Sequence, residues 1–431
     1  AQHRVADHHR PQLAAAEPYG EWVEQNRITF ISVPIKDSVQ VGLPAEQLHT
    51  LQLAFGYSKE DIENILLPMV DRHQEPVSSM GTDTPLAVFS DQPQRLFNYF
   101  KQTFAQVTNP AIDPIREQLV MTLTSYIGKE SNLLAETPEH CHMIQFKRPL
   151  FSNLDMVKLR LWNNPDFKVG TLQTVFPVAD GPAGLQPALD RLCQDAERLV
   201  DEDYDFIILS DRATDADHAP IPSLLACATV QHHLIRAQKR TVCALIIETA
   251  EAREVMHFAL LYGYGASAVN PYGAFATIYD LYKQGRLPNV KNYLEAENIY
   301  IDAIDKGLLK VLSKLGISTL RSYHGSQTFE AIGLSRAVVD QYFTGTESRI
   351  GGIGLEEIAQ EALLHHARAY VEHLPLLPSD GVYQYRKGGE YHAWNPEAIH
   401  LLQWAVRTGD YERYREFADY VNRFNQRPHV I

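Results

Sequence analysis

The chain has 431 residues, 45% of them apolar and 21% charged, a composition that excludes a globally disordered protein and leaves room for two or three domains. Acidic residues outnumber basic ones by 53 to 39, a formal net charge of −14. That balance excludes non-specific binding to nucleic acid or an anionic membrane surface, because phosphate neutralisation needs clustered Lys and Arg. No apolar run approaches the ~18–20 residues of a membrane-spanning helix; the longest, around Ile221–Val230, is broken by Ser223 and Thr229.

Residues 1–30 are polar and His-rich, contain Pro11 and Pro18, and read as a linker or surface arm. Ala1-Gln2-His3 carries neither Met nor a secretory pattern, and Arg427–Ile431 closes no recognisable element, so both ends suggest a piece of something longer. Residues 43–150 read as mainly helical. Leu43–Leu48 opens one helix, Ser58 followed by Asp61 starts another, and Glu117–Leu123 carries an apolar period. Glu75–Ala87 is a polar loop of small and turn-forming residues.

From residue 170 the rhythm changes. Thr171–Pro177, Phe206–Ser210, Thr241–Glu248, Ala266–Asn270 and Ile317–Ser322 are short and β-prone, with helical patterns at Leu185–Glu202, Ile221–Gln238, Arg253–Tyr262 and Tyr300–Leu315 between them. The first three strands start at 171, 206 and 241, a step of 35 residues that suits one strand, one crossover helix and two loops. Continuous apolar runs such as Ile207–Leu209 and Ala244–Ile247 indicate strands covered on both faces. The fold class is therefore α/β, with parallel βα units resembling a degenerate or partial (β/α) barrel and helical N- and C-terminal segments. Further on, Gly351–Gly354 reads as a break, a flexible hinge or interdomain turn, Leu355–Val371 as a helix, Tyr383–His392 as a hairpin or extended pair turning at Gly388-Gly389, and Asn395-Pro396-Glu397 as the start of a helix through Trp404.

Few motifs carry chemistry. The four cysteines, Cys141, Cys193, Cys227 and Cys243, form no C-x-x-C pair; Cys227 and Cys243 read as core, and a reducing cytosol or organelle stroma fits. Gly263-Tyr264-Gly265 follows a helix and precedes a strand, the reverse of a dinucleotide-binding turn. His140-Cys141-His142 offers two ligands on one side of a strand but no obvious third. The loop after Phe206–Ser210 leaves the carboxyl end of a strand, where parallel sheets bind ligands; Asp211, Arg212, Asp215, Asp217 and His218 there read either as an acid–base set or as an ion-paired loop whose Asp residues cap the next helix. Glu248-Thr249, Asn270-Pro271-Tyr272 and Tyr323-His324-Gly325 mark the neighbouring loops.

Several of these runs carry a resemblance. Ser79–Leu86 (SMGTDTPL), Asp113–Glu117 (DPIRE), His218–Leu225 (HAPIPSLL), Ile247–Val255 (IETAEAREV), Asn270-Pro271-Tyr272 and Ser322–Gly325 (SYHG) resemble the central domain of the glutamate synthase large subunit. Phe343–Gly354 and Gly389–Tyr414 resemble the start of that enzyme's flavin domain. The family's enzymes transfer the amide nitrogen of glutamine to 2-oxoglutarate, using an amidotransferase domain with an N-terminal cysteine and a flavin barrel with FMN and an iron–sulfur cluster; the central domain lies between them and helps wall an ammonia tunnel. The resemblance implies a linker at 1–30, the central domain at 31–350 and the helical start of the FMN domain at 351–431. Ala1 is not a cysteine and four scattered Cys cannot hold the cluster, so no cofactor, metal or catalytic residue is expected in this stretch. The order from His218 through Val269 is also similar to a late part of the family's flavin barrel, with Glu248–Glu251 and Asn270-Pro271-Tyr272 standing where glycines would cradle phosphate. Its expected partners are the amidotransferase and FMN domains of the same polypeptide, in the cytoplasm or a plastid stroma, with no nucleic acid and no membrane. Small uncharged groups suit a passage for ammonia, and Met80, Thr82, Thr84, Asn270 and Tyr323 are the candidate lining residues. The rival expectations are an autonomous barrel enzyme using the Asp211–His218 loop, and a scaffold with no tunnel role.

Overall fold

A computed structural model describes residues 15–30, 42–77, 81–103, 112–116, 118–130, 132, 134–162 and 167–424. Helix α1 (Tyr19–Asn26) and strand β1 (Ile28–Thr29) fold the second half of the stretch read as a surface arm, and Phe30 is buried. Helix α2 (Ala45–Ala54) follows Pro44. Ser58 and Asp61 then cap reciprocally: the Ser58 N–H donates to Asp61 Oδ2 (2.9 Å) and the Asp61 N–H to Ser58 Oγ (3.1 Å). They open a π-helical turn, Asp61–Leu66, that continues as α3 (Leu67–Arg72). Strands β2 (Phe100–Gln102), β3 (Ser125–Ile127) and β4 (Ile144–Phe146) precede α4 (Asn153–Leu161). The apolar period at 117–123 gives only a three-residue turn, Gln118–Val120, with Leu119 almost fully exposed. A short helix is held by packing, and this turn has none for its apolar side chains.

The centre is built from β5 (Val169–Gln173), β6 (Val175–Pro177), α5 (Leu185–Asp201), β7 (Phe206–Ser210), β8 (His218–Pro220), α6 (Ser223–Arg236), β9 (Ala244–Glu248), α7 (Val255–Gly263) and β10 (Ala268–Asn270). Four of these strands form a parallel sheet in the order β10-β9-β7-β5. Alternate residues divide between two cores. Ile207, Leu209, Leu245, Ile247 and Val269 pack with side chains of α5, α6 and α7, such as Leu192, Leu224 and Phe258. Phe206, Ile208, Ala244, Ile246 and Ala268 pack with Phe30, Ile144, Phe146, Phe151 and Phe167. Both faces are dry, which is why these strands read as unbroken apolar runs; each fully buried aliphatic side chain contributes about 1.5–3 kcal/mol. Neighbouring parallel strands with all their helices on one face form the wall of a (β/α) barrel. Among the described residues the wall has four strands, and the small sheet β1-β4-β3 covers the face a closed barrel would turn inward.

Downstream lie α8 (Tyr272–Lys283), α9 (Tyr293–Lys314), α10 (Leu320–Tyr323), β11 (Phe329–Leu334), α11 (Arg336–Tyr342), β12 (Glu347–Ile353), α12 (Leu355–Tyr370), α13 (Pro396–Thr408) and α14 (Tyr411–Phe424). The strand expected at 317–322 is instead the turn after α9 and the short helix α10. Gly316 (φ 68°) ends α9, and Thr319 caps α10 through the Ser322 N–H. Nor is Gly351–Gly354 a hinge. Gly351, Gly352 and Ile353 lie within β12, parallel to β11, and Gly354 opens α12. A Cβ on Gly352 would stand 2.1 Å from the Gly333 carbonyl oxygen, so glycine is what lets the two strands approach. Residues 383–392 contain a turn, with the Gly389 N–H on the Arg386 carbonyl, but no paired strands. Asn395 caps α13 by accepting the Ala398 N–H (3.0 Å). Among the described residues no helix is long and apolar enough to cross a membrane.

Candidate functional site at the carboxyl edge of the sheet

Parallel strands direct their carboxyl ends, and the loops that follow, to one edge. In register, Ser210, Glu248 and Asn270 end β7, β9 and β10 side by side. Glu248 floors a cleft of about 240 Å³ whose walls include Asn153, Arg160, Arg212 and Tyr272. Glu248 is fully buried. Its Oε1 accepts from Arg160 Nη1 (3.0 Å) and Arg212 Nε (2.8 Å), and its Oε2 from Arg160 Nη2 (2.5 Å) and Ser210 Oγ (2.6 Å). Burial opposes its ionisation, but the Arg160 hydrogen bonds and the two guanidinium charges outweigh that and hold its carboxyl down to about 2. Arg212 also lies over the Tyr272 ring, 3.9 Å from its centroid. Next to it, Asp211 turns inward and accepts from the Tyr272 hydroxyl (2.7 Å), the Thr249 hydroxyl and the Ala250 N–H (3.2 Å). Burial dominates there and pushes the Asp211 carboxyl up to about 7.

Behind this edge sits a second charged knot. Arg253 is wholly buried. It donates to the carbonyls of Phe55 (3.1 Å), Gly56 (2.6 Å) and Glu251 (3.1 Å) and to Asp61 Oδ2 (3.0 Å), and its guanidinium lies 3.9 Å from the Tyr57 ring centroid. Glu251 accepts the Ser223 N–H (2.9 Å) and hydroxyl (2.6 Å), supplying the α6 cap that Pro222 cannot.

The acid–base set read from 211–218 does not converge. Asp215 and His218 pair with each other at the surface (2.9 Å), in a turn where Asp215 also accepts the Asp217 and His218 N–H groups. Those Asp residues shape the entry to β8 and do not cap α6. His140 and His142 also diverge: His140 closes its own 3₁₀ turn with Thr137, and His142 stacks on Phe167. Among the described residues no three His, Cys, Asp or Glu side chains gather as a metal site. All four cysteines are free, and burial pushes the Cys193 and Cys227 thiols up to about 12, far from the thiolate a metal needs.

The candidate lining residues fall in three places. Thr82 and Thr84 share a hydrogen bond (2.8 Å) in a loop fastened through Asp83 to His392 and Trp394; Met80 lies outside the described residues. Asn270 is buried at the sheet edge, its Nδ2 donating to the Phe151 carbonyl (2.8 Å). Tyr323 is buried against α7, donating to the Ala259 carbonyl (3.0 Å). The first pair is brought together; Asn270 and Tyr323 each have other neighbours. Arg160 and Arg253, which dominate the electrostatics, were not singled out from sequence. The Ser152–Asp155 cap that starts α4 is the signal that would have placed Arg160 on a helix.

With this geometry in hand, residues 50–335 match the family model of the glutamate synthase central domain. The chain belongs to that family. It is 42% identical over 409 residues to the NADPH glutamate synthase large chain of Bacillus subtilis, covering 95% of this chain and 26% of the relative. It is 39% identical to the NADH glutamate synthase of Schizosaccharomyces pombe (94% and 20%) and 38% identical to ferredoxin-dependent glutamate synthase 2 of Synechocystis (95% and 28%). The glutamate synthase central domain described here thus spans only a fifth to just over a quarter of the length of these relatives. Relatives named for three different electron donors match about equally well, so this segment does not distinguish the donors.

Proposed function

We propose that this chain is the connecting part of a glutamate synthase large chain and carries out no chemistry of its own. It holds an amidotransferase domain and an FMN domain of the same polypeptide apart and helps wall the path of ammonia between them, in the cytoplasm or a plastid stroma. Residues 1–30 serve as the linker from the amidotransferase side, 31–350 as the central domain, and 351–431 as the lead into the FMN domain. FMN and the iron–sulfur cluster belong to the rest of that enzyme.

The observation that carries this reading is the self-satisfied carboxyl edge. A flavin phosphate would need free amide protons or cations there. Glu248 instead engages both arginines of the cleft, Asp211 and Glu251 take up neighbouring donors, and Pro271 has no N–H to give. These residues do not fit a phosphate dianion. The divergence of Asp211 from Asp215 and His218 likewise removes the support for an autonomous enzyme. The purified chain, mixed with excess FMN and desalted, is expected to retain no flavin absorbance; near-stoichiometric flavin would overturn the reading.

A further inference from the structure

A small cavity of about 30 Å³ lies between α2, the Leu96–Tyr99 turn, the β8–α6 turn and α12, lined by Phe55, Arg95, Ile221, Glu251, Glu361 and His365, among others. Space of that order admits one or two molecules of water's size. His365 is 8% exposed, and both of its ring nitrogens are buried without a hydrogen-bond partner among the described residues. A neutral imidazole carries one donor and one acceptor, so both kinds of bond go unmet, each at a desolvation cost that an apolar side chain would avoid. Burial, with Arg368 and Arg95 nearby, lowers His365 to about 3, so the ring is neutral at ordinary pH. Its sequence neighbour His366 points elsewhere, to the Asp215 carbonyl (2.6 Å).

The other polar groups around the cavity are anchored. Glu361 Oε1 accepts from the Tyr99 hydroxyl (2.8 Å), Glu251 Oε2 from Ser223, and Arg95 faces Asp61 (3.4 Å). Two carboxyl groups make a poor host for an anion, while the Arg95 charge and the lack of three gathered His, Cys, Asp or Glu side chains among the described residues disfavour a metal cation. We propose that this cavity is a built site for one or two small neutral molecules that both donate and accept hydrogen bonds, water or ammonia, held at His365 between Glu361 and Glu251. The water case stands whatever becomes of the connecting-domain reading; only the ammonia case rests on it.

High-resolution crystals of the chain test the site directly. A density peak within hydrogen-bond distance of a His365 nitrogen is expected in the wild type and in His365→Gln, and its loss in His365→Leu. A cavity without that peak in the wild type, or one that takes up xenon under pressure, would overturn the proposal, as would pairing of both His365 nitrogens with protein atoms. The two sources separate by NMR of ¹⁵N-histidine-labelled chain at about pH 9. A saturable change in the His365 ring signals with ammonium chloride, absent with potassium chloride, assigns ammonia; unchanged signals with the crystallographic peak present assign water.

Discussion

Replacing Glu248 with Gln isolates the central ion cluster of the sheet edge. The side chain is fully buried, and four hydrogen bonds from Arg160, Arg212 and Ser210 hold its carboxyl at about 2 rather than the ordinary 4.5. A depression of that size corresponds to about 3 kcal/mol of stability at neutral pH. Because the folded carboxyl is the stronger acid, the contribution is complete above about pH 4.5 and is lost as pH falls toward 2; about 2 kcal/mol of it remains near pH 3.5. Glu248→Gln should therefore lose about 3 kcal/mol at pH 7, a drop of about 3 °C in Tm for a chain of this length. The gap from wild type should narrow as pH falls below 4.5. Urea unfolding followed by tryptophan fluorescence at pH 7, 5 and 3.5 measures both. A loss under about 1 kcal/mol at pH 7, or a gap unchanged with pH, would refute the assignment of Glu248 as an ionised anchor.

Asp211 should behave in the opposite sense. Its folded carboxyl is raised to about 7, so the unfolded chain releases the proton first and stability falls as pH rises from about 4 through 7. Asp211→Asn should gain on wild type across that range in thermal unfolding scans, and parallel curves would contradict it. Thr82 is exposed, so Thr82→Trp should shift stability by no more than about 0.5 kcal/mol. In a full-length glutamate synthase carrying this segment it should nevertheless raise glutamine hydrolysed per glutamate formed, and an unchanged ratio would remove Thr82 from the ammonia path.

The βα units at 169–270 were legible because strands buried on both faces leave unbroken apolar runs and the helix Leu185–Asp201 buries a single apolar stripe. What escaped was set by contacts distant in sequence. Ile317–Ser322 looks β-prone, yet the Thr319 cap starts a short helix at Leu320. Gly351-Gly352 looks like a break, yet both lie in β12, and β11 needs Gly352 to come close. The loops of the candidate site were visible as strand ends, but their chemistry was not. Glu248 takes its bidentate partner from 88 positions away, and Arg253 meets Asp61 at a separation of 192. No local periodicity encodes such pairs, so an apparent catalytic loop resolved into a braced edge.

The buried Arg253 also bears on how the molecule can come apart. Its guanidinium fastens the carbonyls of Phe55 and Gly56, just after α2, to the loop that follows β9. Peeling the 42–72 segment away would strand an unpaired charge in a nonpolar interior, at several kcal/mol. Local opening there is thereby made costlier, and the amide protons of α2 and of β9 are expected to exchange together.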